Sequence, residues 1–190
     1  MVMKGAVITS KGIESTAAVE IKELTGANCK IEESCAIFDI KKLNDLCLLC
    51  YKSQSADRVM YLVGSFSFSN FFSDLESFIK KTVFDKWIAK LKKFKTECIR
   101  TGSHDFKSTD VEKEFTEIIG KKGFKLDNSD YKIIFLIYII GEKCYIGIDF
   151  AGFELNKRSY KVYLHPNSCR GTIAYALLRE SGFKPSEILL

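Results

Sequence analysis

The chain has 190 residues, a formal net charge of +5 at pH 7, and 46% hydrophobic and 13% aromatic residues. This composition excludes a disordered chain and allows one large or two small globular domains, because single cores usually organise about 100 to 200 residues. Seven cysteines without a recognisable secretory signal, and a longest apolar run (Ile133 to Ile140) well short of the ~18 residues of a membrane span, predict a soluble cytoplasmic protein with no membrane partner.

The first 68 residues contain alternating strand and helix patterns. Strands are predicted at 4–9, 29–32, 35–38 and 58–68, and helices at 13–24 and 43–51, with Gly26 as the stop of the first helix. The order strand-helix-strand-strand-helix-strand is that of a split β-α-β arrangement. We therefore predict an α+β protein with a ferredoxin-like domain at 1–68.

Residues 69–93 have a helical pattern. Their apolar residues recur at three- and four-residue intervals from Phe71 to Leu91. This spacing predicts one long helix or two abutting ones, which we interpret as a helical linker between two halves of the chain.

The second half is predicted to be an α/β domain. Residues 94–100 form an edge-like strand, and a helix follows in which Thr109 can cap and Glu112 stands at the reciprocal capping-box position. The segment 131–140 is apolar on both alternations, as in a strand covered on both faces at the centre of a sheet. Gly141-Glu142 then predicts a tight turn into a strand over 143–150.

Basic residues form two groups, and the basic excess lies in the second half of the chain. The first group is Lys92, Lys93 and Lys95, with Lys90 beside them. The second group is Lys157, Arg158, Lys161 and Arg170. Both groups favour phosphate binding, with a merely solvated surface as the open alternative.

Between these groups, the turn around Gly102 leads into a helix N-terminus. Such a turn exposes backbone N–H groups beside a partial positive charge, and Arg100, His104 and Lys107 would surround a bound phosphate. His104 as a structural hydrogen-bond donor, Arg100 paired with Asp105 or Glu97, and Phe106 as core packing remain alternatives.

The stretch Arg100-Thr101-Gly102-Ser103-His104-Asp105-Phe106-Lys107-Ser108, with Phe84-Asp85-Lys86-Trp87 before it and Lys157-Arg158-Ser159-Tyr160 after it, resembles THUMP-containing RNA methyltransferases, above all the tRNA guanine-N2 methyltransferases. The resemblance implies a THUMP RNA-binding domain at 94–166. It also implies a linker helix at 167–190 that leads into the start of a Rossmann-like methyltransferase domain, and that domain would hold S-adenosylmethionine.

The partners that this resemblance implies are tRNA, held by its 3′ end and acceptor stem, and a methyltransferase catalytic domain in the same chain or in another one. The sequence has no nucleotide-binding glycine motif and no His-Glu-x-x-His motif, so no catalytic residue is predicted. Cys47 and Cys50 fit a helical core face better than a zinc site, and no metal is predicted.

Other functions remain open at this stage. The chain could be a stand-alone THUMP adaptor that presents tRNA to another modifying enzyme, or a protein-interaction domain without an RNA role. The THUMP resemblance extends to thiouridine synthetases and some pseudouridine synthases, but the ending Leu177-Leu178-Arg179-Glu180-Ser181-Gly182-Phe183-Lys184-Pro185 favours the methyltransferase branch.

Overall fold

Apart from one short strand that was not predicted, the helices and strands of the computed structural model follow each other in the order expected from the sequence. The structure describes residues 3–158, 160, 163, 165, 167–184 and 186–187. The strands are β1 (Lys4–Ile8), β2 (Cys29–Glu32), β3 (Cys35–Asp39), β4 (Arg58–Ser67), β5 (Lys93–Thr101), β6 (Lys125–Leu126), β7 (Ile133–Ile140) and β8 (Lys143–Asp149). The helices are α1 (Glu14–Thr25), α2 (Asn44–Lys52), α3 (Phe71–Lys81), α4 (Lys86–Lys90), α5 (Ser108–Gly120) and α6 (Gly171–Glu180).

The chain divides into two compact units. The first unit combines Met1–Tyr61 with Phe150–Leu190, and the second unit is Leu62–Asp149. Strand β4 begins in the first unit and ends in the second. The boundaries drawn at 68, 93 and 166 from the sequence therefore differ from the units that the contacts define.

In the first unit the strand order is β2-β3-β1-β4, and the three neighbouring pairs are antiparallel. Each strand-helix-strand connection skips one strand of this sheet. Helix α1 packs on β2, β3 and α2, with Ala17 and Ile21 fully buried. All six predicted elements are confirmed within one residue at each end.

Two glycines explain local features of this unit. A side chain at Gly5 of β1 would place its Cβ 2.7 Å from the Phe38 ring and 2.8 Å from Leu46, so the close approach requires glycine. Gly26 adopts a left-handed φ of 74° and its amide donates to the Lys22 carbonyl at 2.8 Å, which ends α1 as predicted.

The second unit is built on the strand order β4-β8-β7-β5-β6. Strand β5 runs parallel to both β7 and β6, whereas β7 and β8 form an antiparallel hairpin. All eight residues of β7 are buried, so its predicted central position is confirmed. The predicted edge position of β5 is wrong, because the two-residue strand β6, too short to show a periodic pattern, pairs with it.

Residues 69–93 belong to the second unit and form two helices, the second of the two arrangements that the spacing predicted. Asn70 caps α3 by accepting a hydrogen bond from the Ser73 amide at 3.3 Å, and α3 packs on α5. The short helix α4 follows after a break at 82–85. This segment is thus part of the second compact unit.

Residues after β8 return to the first unit. The Phe150 amide donates to the Val59 carbonyl at 3.0 Å, and the Leu155 amide donates to the Asp57 carbonyl at 2.9 Å. Helix α6 packs on α1 and buries Thr172 and Ala176. Within the described part of the chain, no helix has the length and apolar content that crossing a membrane would require.

Candidate nucleic-acid interface

The turn between β5 and α5 is the predicted phosphate-binding turn, and it contains a glycine in a left-handed conformation. Gly102 has φ +111°, a conformation that side chains rarely adopt, and its position lies close to the Gly141 backbone. Helix α5 begins at Ser108, with Lys107 at the N-cap position. The predicted cap by Thr109 is therefore wrong by two residues.

Carboxylates hold this helix start. Asp110 accepts the Lys107 amide at 2.9 Å, and Glu112, instead of closing a capping box, accepts the Cys98 amide at 2.9 Å and ties α5 to β5. An acidic side chain in the first turn offsets the partial positive charge of the helix end. The Asp110 carboxylate therefore occupies a backbone donor at the helix start that the sequence left open for a phosphate.

Arg100 is directed towards this turn. Its Nε donates to the Ser108 hydroxyl at 3.3 Å, and its guanidinium carbon lies 5.5 Å from the centroid of the Phe106 ring. Among the described residues, its buried Nη1 has no hydrogen-bond partner. The guanidinium thus packs against an aromatic ring and keeps unused donor capacity.

His104 joins the same turn to the β7–β8 hairpin. Its Nε2 donates to the Gly141 carbonyl at 2.8 Å, and its ring centroid lies 5.1 Å from that of Phe106. The structural alternative that the sequence left open for His104 is confirmed. With the proton on Nε2, the Nδ1 of a neutral imidazole is an acceptor, and within the described structure this buried atom has no partner.

Aromatic residues form a cleft beside Arg100 and His104, which we call the aromatic cleft. It is walled by Phe68, Phe71, Phe72, His104 and Phe106, with Asp105 and Glu142 also lining it, and has a volume of about 410 Å³. Phe106 stacks on Phe71 with ring centroids 4.5 Å apart and lies 5.5 Å from Phe72. Phe106 is half-buried, and its contacts with Phe71 and Phe72 agree with the packing role that the sequence left open for it.

Sequence reasoning did not identify Phe72, Asp105 or Glu142 as site residues. The dense run of phenylalanines at 66–72 was the available signal, but the strand predicted at 58–68 and the helical pattern from Phe71 already accounted for it. Only the fold brings the start of α3, the β5–α5 turn and the β7–β8 turn to one cleft.

The first basic group is largely neutralised within the second unit. Lys93 Nζ lies 2.7 Å from Asp130 and 3.2 Å from Asp127, and hydrogen bonds to these carboxylates raise the pKa of Lys93. Lys95 Nζ lies 2.8 Å from Glu97, which raises the pKa of Lys95 in the same way. Lys92 is exposed, with its ammonium 5.3 Å from the Phe124 ring centroid. Lys107 is exposed too.

The second basic group lies in the first unit. Arg158 Nη2 donates to the carbonyls of Ser53 at 3.1 Å and Gln54 at 3.0 Å, so this guanidinium is used to hold a loop. Lys157 pairs with Glu154 at 2.7 Å, and this hydrogen bond lowers the pKa of Glu154. Arg170 is exposed at the start of α6, and Lys161 lies outside the described residues.

Comparison with known proteins finds one family match and several similar proteins. Residues 69–149 match the THUMP domain family, a range that covers most of the second unit and starts at α3, not at β5 as predicted. The chain is 27% identical over 194 residues to a tRNA (guanine(6)-N2)-methyltransferase from Methanocaldococcus jannaschii, covering 97% of this chain and 51% of that protein.

A second tRNA (guanine(6)-N2)-methyltransferase, from Archaeoglobus fulgidus, is 27% identical over 192 residues, covering 94% of this chain and 47% of that protein. The chain therefore spans about half the length of the curated relatives it matches. The crystal structure of TrmN from Thermus thermophilus superposes with a TM-score of 0.65 at 21% identity, over 96% of this chain and 55% of that one. At this identity the likeness concerns the fold.

Proposed function

We propose that this chain is the RNA-binding part of a tRNA methyltransferase. The observation that carries the proposal is the match of nearly the whole chain to about half of two tRNA (guanine(6)-N2)-methyltransferases, together with the THUMP match over 69–149. In this proposal the chain holds tRNA, and a catalytic domain in the same protein or in a partner performs the methyl transfer.

The proposal includes a ferredoxin-like first unit. The strand order β2-β3-β1-β4 with antiparallel neighbours and two strand-skipping helical connections supports it. A ferredoxin-like unit next to a THUMP match is the domain pair that the sequence resemblance implied.

The tRNA would be held by its 3′ end and acceptor stem. Proteins recognise RNA duplexes mainly by shape and phosphate contacts, and read single-stranded ends by stacking and hydrogen bonding. Exposed Lys92, Lys107 and Arg170 supply phosphate contacts in this scheme, and Arg100 supplies a guanidinium beside an aromatic surface. Lys93, Lys95 and Lys157 contribute less, because carboxylates already neutralise them.

S-adenosylmethionine would supply the transferred methyl group from the catalytic domain. This chain has no glycine-rich turn with two glycines one residue apart, the feature that lets a backbone approach a nucleotide-like cofactor closely. In this proposal the cofactor belongs to the catalytic domain, and we assign it no residue of this chain. The role of this chain in the proposal is to bind and orient the RNA.

The test is a salt titration of tRNA binding with a matched pair of charge-removing variants. Lys107→Gln removes an exposed lysine beside the β5–α5 turn, and Lys22→Gln removes an exposed lysine at the end of α1. Each phosphate contact contributes about 0.7 to 0.9 to the slope of log affinity against log salt. We expect Lys107→Gln to lower this slope by about that amount, whereas Lys22→Gln leaves it unchanged.

The same titration on tRNA lacking its 3′-terminal nucleotides tests the finer proposal. Weaker binding of the shortened tRNA supports recognition of the 3′ end, and equal binding argues against it. Absence of salt-dependent binding to any tRNA would remove RNA binding as the function of this chain.

A further inference from the structure

Strand β2 forms an open edge of the sheet in the first unit. Among the residues that the structure describes, its one neighbouring strand is β3. A sheet edge presents backbone donors and acceptors that a further strand can pair with. The side chains of β2 then decide which strand fits this edge.

The backbone groups that point out of the edge belong to alternate residues. A two-residue turn joins Glu32 to Cys35, and residues that flank such a turn form a hydrogen-bonded pair. Hydrogen-bonded and non-hydrogen-bonded pairs alternate along an antiparallel ladder. The amides and carbonyls of Cys29 and Ile31 are therefore directed away from β3, towards the open edge.

An apolar side chain lies in the middle of this edge. The Cys29 thiol donates to the Ala18 carbonyl of α1 at 3.9 Å, so Ile31, two residues further along the strand, faces the same side of the sheet. The Ile31 side chain is 51% exposed. Covering it would remove apolar surface from water, which favours association.

The charges of β2 are complementary to those of a second β2 strand. Lys30 and Glu32 share the other side of the sheet, where Lys30 is exposed and its Nζ lies 2.8 Å from the Glu32 carboxylate. When two β2 strands pair antiparallel with Ile31 opposite Ile31, each Lys30 lies opposite Glu32 of the other copy. These are non-hydrogen-bonded positions, at which cross-strand side chains approach most closely.

We propose that two copies of this chain form a symmetric dimer by antiparallel pairing of their β2 strands, with Ile31 at the two-fold axis. The two Ile31 residues exchange backbone hydrogen bonds, and two Lys30–Glu32 pairs flank them. The contact is isologous, as expected for a closed dimer. This inference goes beyond the proposed RNA binding and does not depend on it.

Sedimentation equilibrium of the full chain tests the association. Because β2 has four residues, the contact is small, and we expect a dissociation constant on the order of tens of micromolar. At a few hundred micromolar, the fitted mass should approach twice the 21.6 kDa of one chain. A mass of one chain at every concentration would overturn the proposal.

Charge reversal tests the register. Lys30→Glu turns both cross-strand pairs repulsive and should raise the dissociation constant about tenfold or more. Adding Glu32→Lys restores opposite charges at both pairs and should recover the dimer. Lys113→Glu makes the same charge change at an exposed site of the second unit and should have no effect. Circular dichroism checks that each variant is folded.

A cysteine at the two-fold axis gives a test that does not change the charges. Ile31→Cys would place two thiols on Cα atoms about 5.5 Å apart, within the range that a disulfide spans. Mild oxidation should therefore produce a covalent dimer on non-reducing gels. Val83→Cys introduces an exposed thiol in the second unit, and should give no more dimer than the cysteines of the wild-type chain.

Each of these results bears directly on the β2 contact. A dimer that Lys30→Glu leaves unchanged would overturn β2 as the interface and indicate another contact surface. Equal oxidation of the Ile31→Cys and Val83→Cys chains would overturn the position of Ile31 at the axis. Loss of the dimer in Lys30→Glu, with recovery in the double variant, would support the proposed pairing.

Discussion

At the scale of single residues, Asp57 is the point where three segments of the first unit meet. Its carboxylate accepts hydrogen bonds from Ser10 Oγ at 3.3 Å, from Thr172 Oγ1 at 3.5 Å and from the Asn156 side chain. Burial raises the pKa of Asp57, and this effect exceeds the lowering by these hydrogen bonds and by the nearby Arg170. Ionised Asp57 is therefore less favourable in the folded chain than in water.

This shift predicts a pH dependence with a definite sign. Because the folded pKa is raised, the contribution of Asp57 to stability is fully present below its ordinary pKa of 3.8 and is lost as pH rises through the folded value. The difference in unfolding free energy between the wild-type chain and Asp57→Asn should fall as pH rises above 3.8. Urea titrations at several pH values measure it.

Asp130 is a control because its pKa is shifted in the opposite direction from that of Asp57. Hydrogen bonds from Lys132 and Lys93 lower the pKa of Asp130 to about 2, so its contribution is present above 3.8 and is lost as pH falls towards 2. The wild-type minus Asp130→Asn difference should therefore shrink on acidification. The same slope in both pairs would contradict the interpretation of Asp57.

At the scale of elements, α6 is attached to α1 through small buried residues and polar contacts. Thr172 and Ala176 are buried, Glu180 accepts from Thr16 Oγ1 at 2.9 Å, and Arg179 pairs with Glu23 at 2.6 Å. The Arg179–Glu23 pair is largely exposed, and such pairs contribute about 1 kcal/mol or less. The close fit of Ala176 is the more important restraint.

Two neighbouring positions of α6 test this packing. Ala176→Leu adds volume at a site that is 2% exposed and should lower the unfolding free energy by about 1 to 3 kcal/mol. Leu177→Ala, at a site 63% exposed, should change it by less than about 0.5 kcal/mol. Equal effects of both substitutions in denaturant titrations would show that α6 is not packed through the Ala176 face.

At the scale of the whole molecule, the first unit is discontinuous in sequence. The strands of its sheet lie between residues 4 and 61. The segment after Phe150 adds three buried residues to the same unit, which are Leu155, Thr172 and Ala176. Arg158 adds hydrogen bonds to the loop at Ser53 and Gln54. Both ends of the chain are therefore needed to complete this unit.

A truncation tests this composition of the first unit. A chain that ends at Asp149 should unfold at lower urea concentration than the full chain, because it exposes the surface that Leu155 and α6 cover. A chain that ends at Gly182 keeps α6 and should resemble the full chain. Identical unfolding of all three by circular dichroism would mean that residues 150–182 add nothing to stability.

Much of this organisation was predictable from local pattern. The six elements of the first unit and the central buried strand β7 followed from apolar periodicity, since strand and helix repeats are properties of the backbone itself. Capping was predicted less well, because several polar residues near Ser108 compete for the same amides and the structure uses Asp110. Strand β6 is too short for any periodic signal.

The amino-acid sequence by itself determined most of the segments that become strands and helices, with β6 as an exception, and which residues carry positive charge. Only the tertiary structure decided the partners of those residues: His104 contacts Gly141 across 37 positions, and Arg158 contacts Ser53 across 105. Tertiary packing also places the residues after β8 in the first unit. It brings together the residues of the aromatic cleft in the second unit. The physical reason is that periodicity reflects neighbours along the chain, whereas hydrogen bonds and burial depend on residues that folding alone brings together.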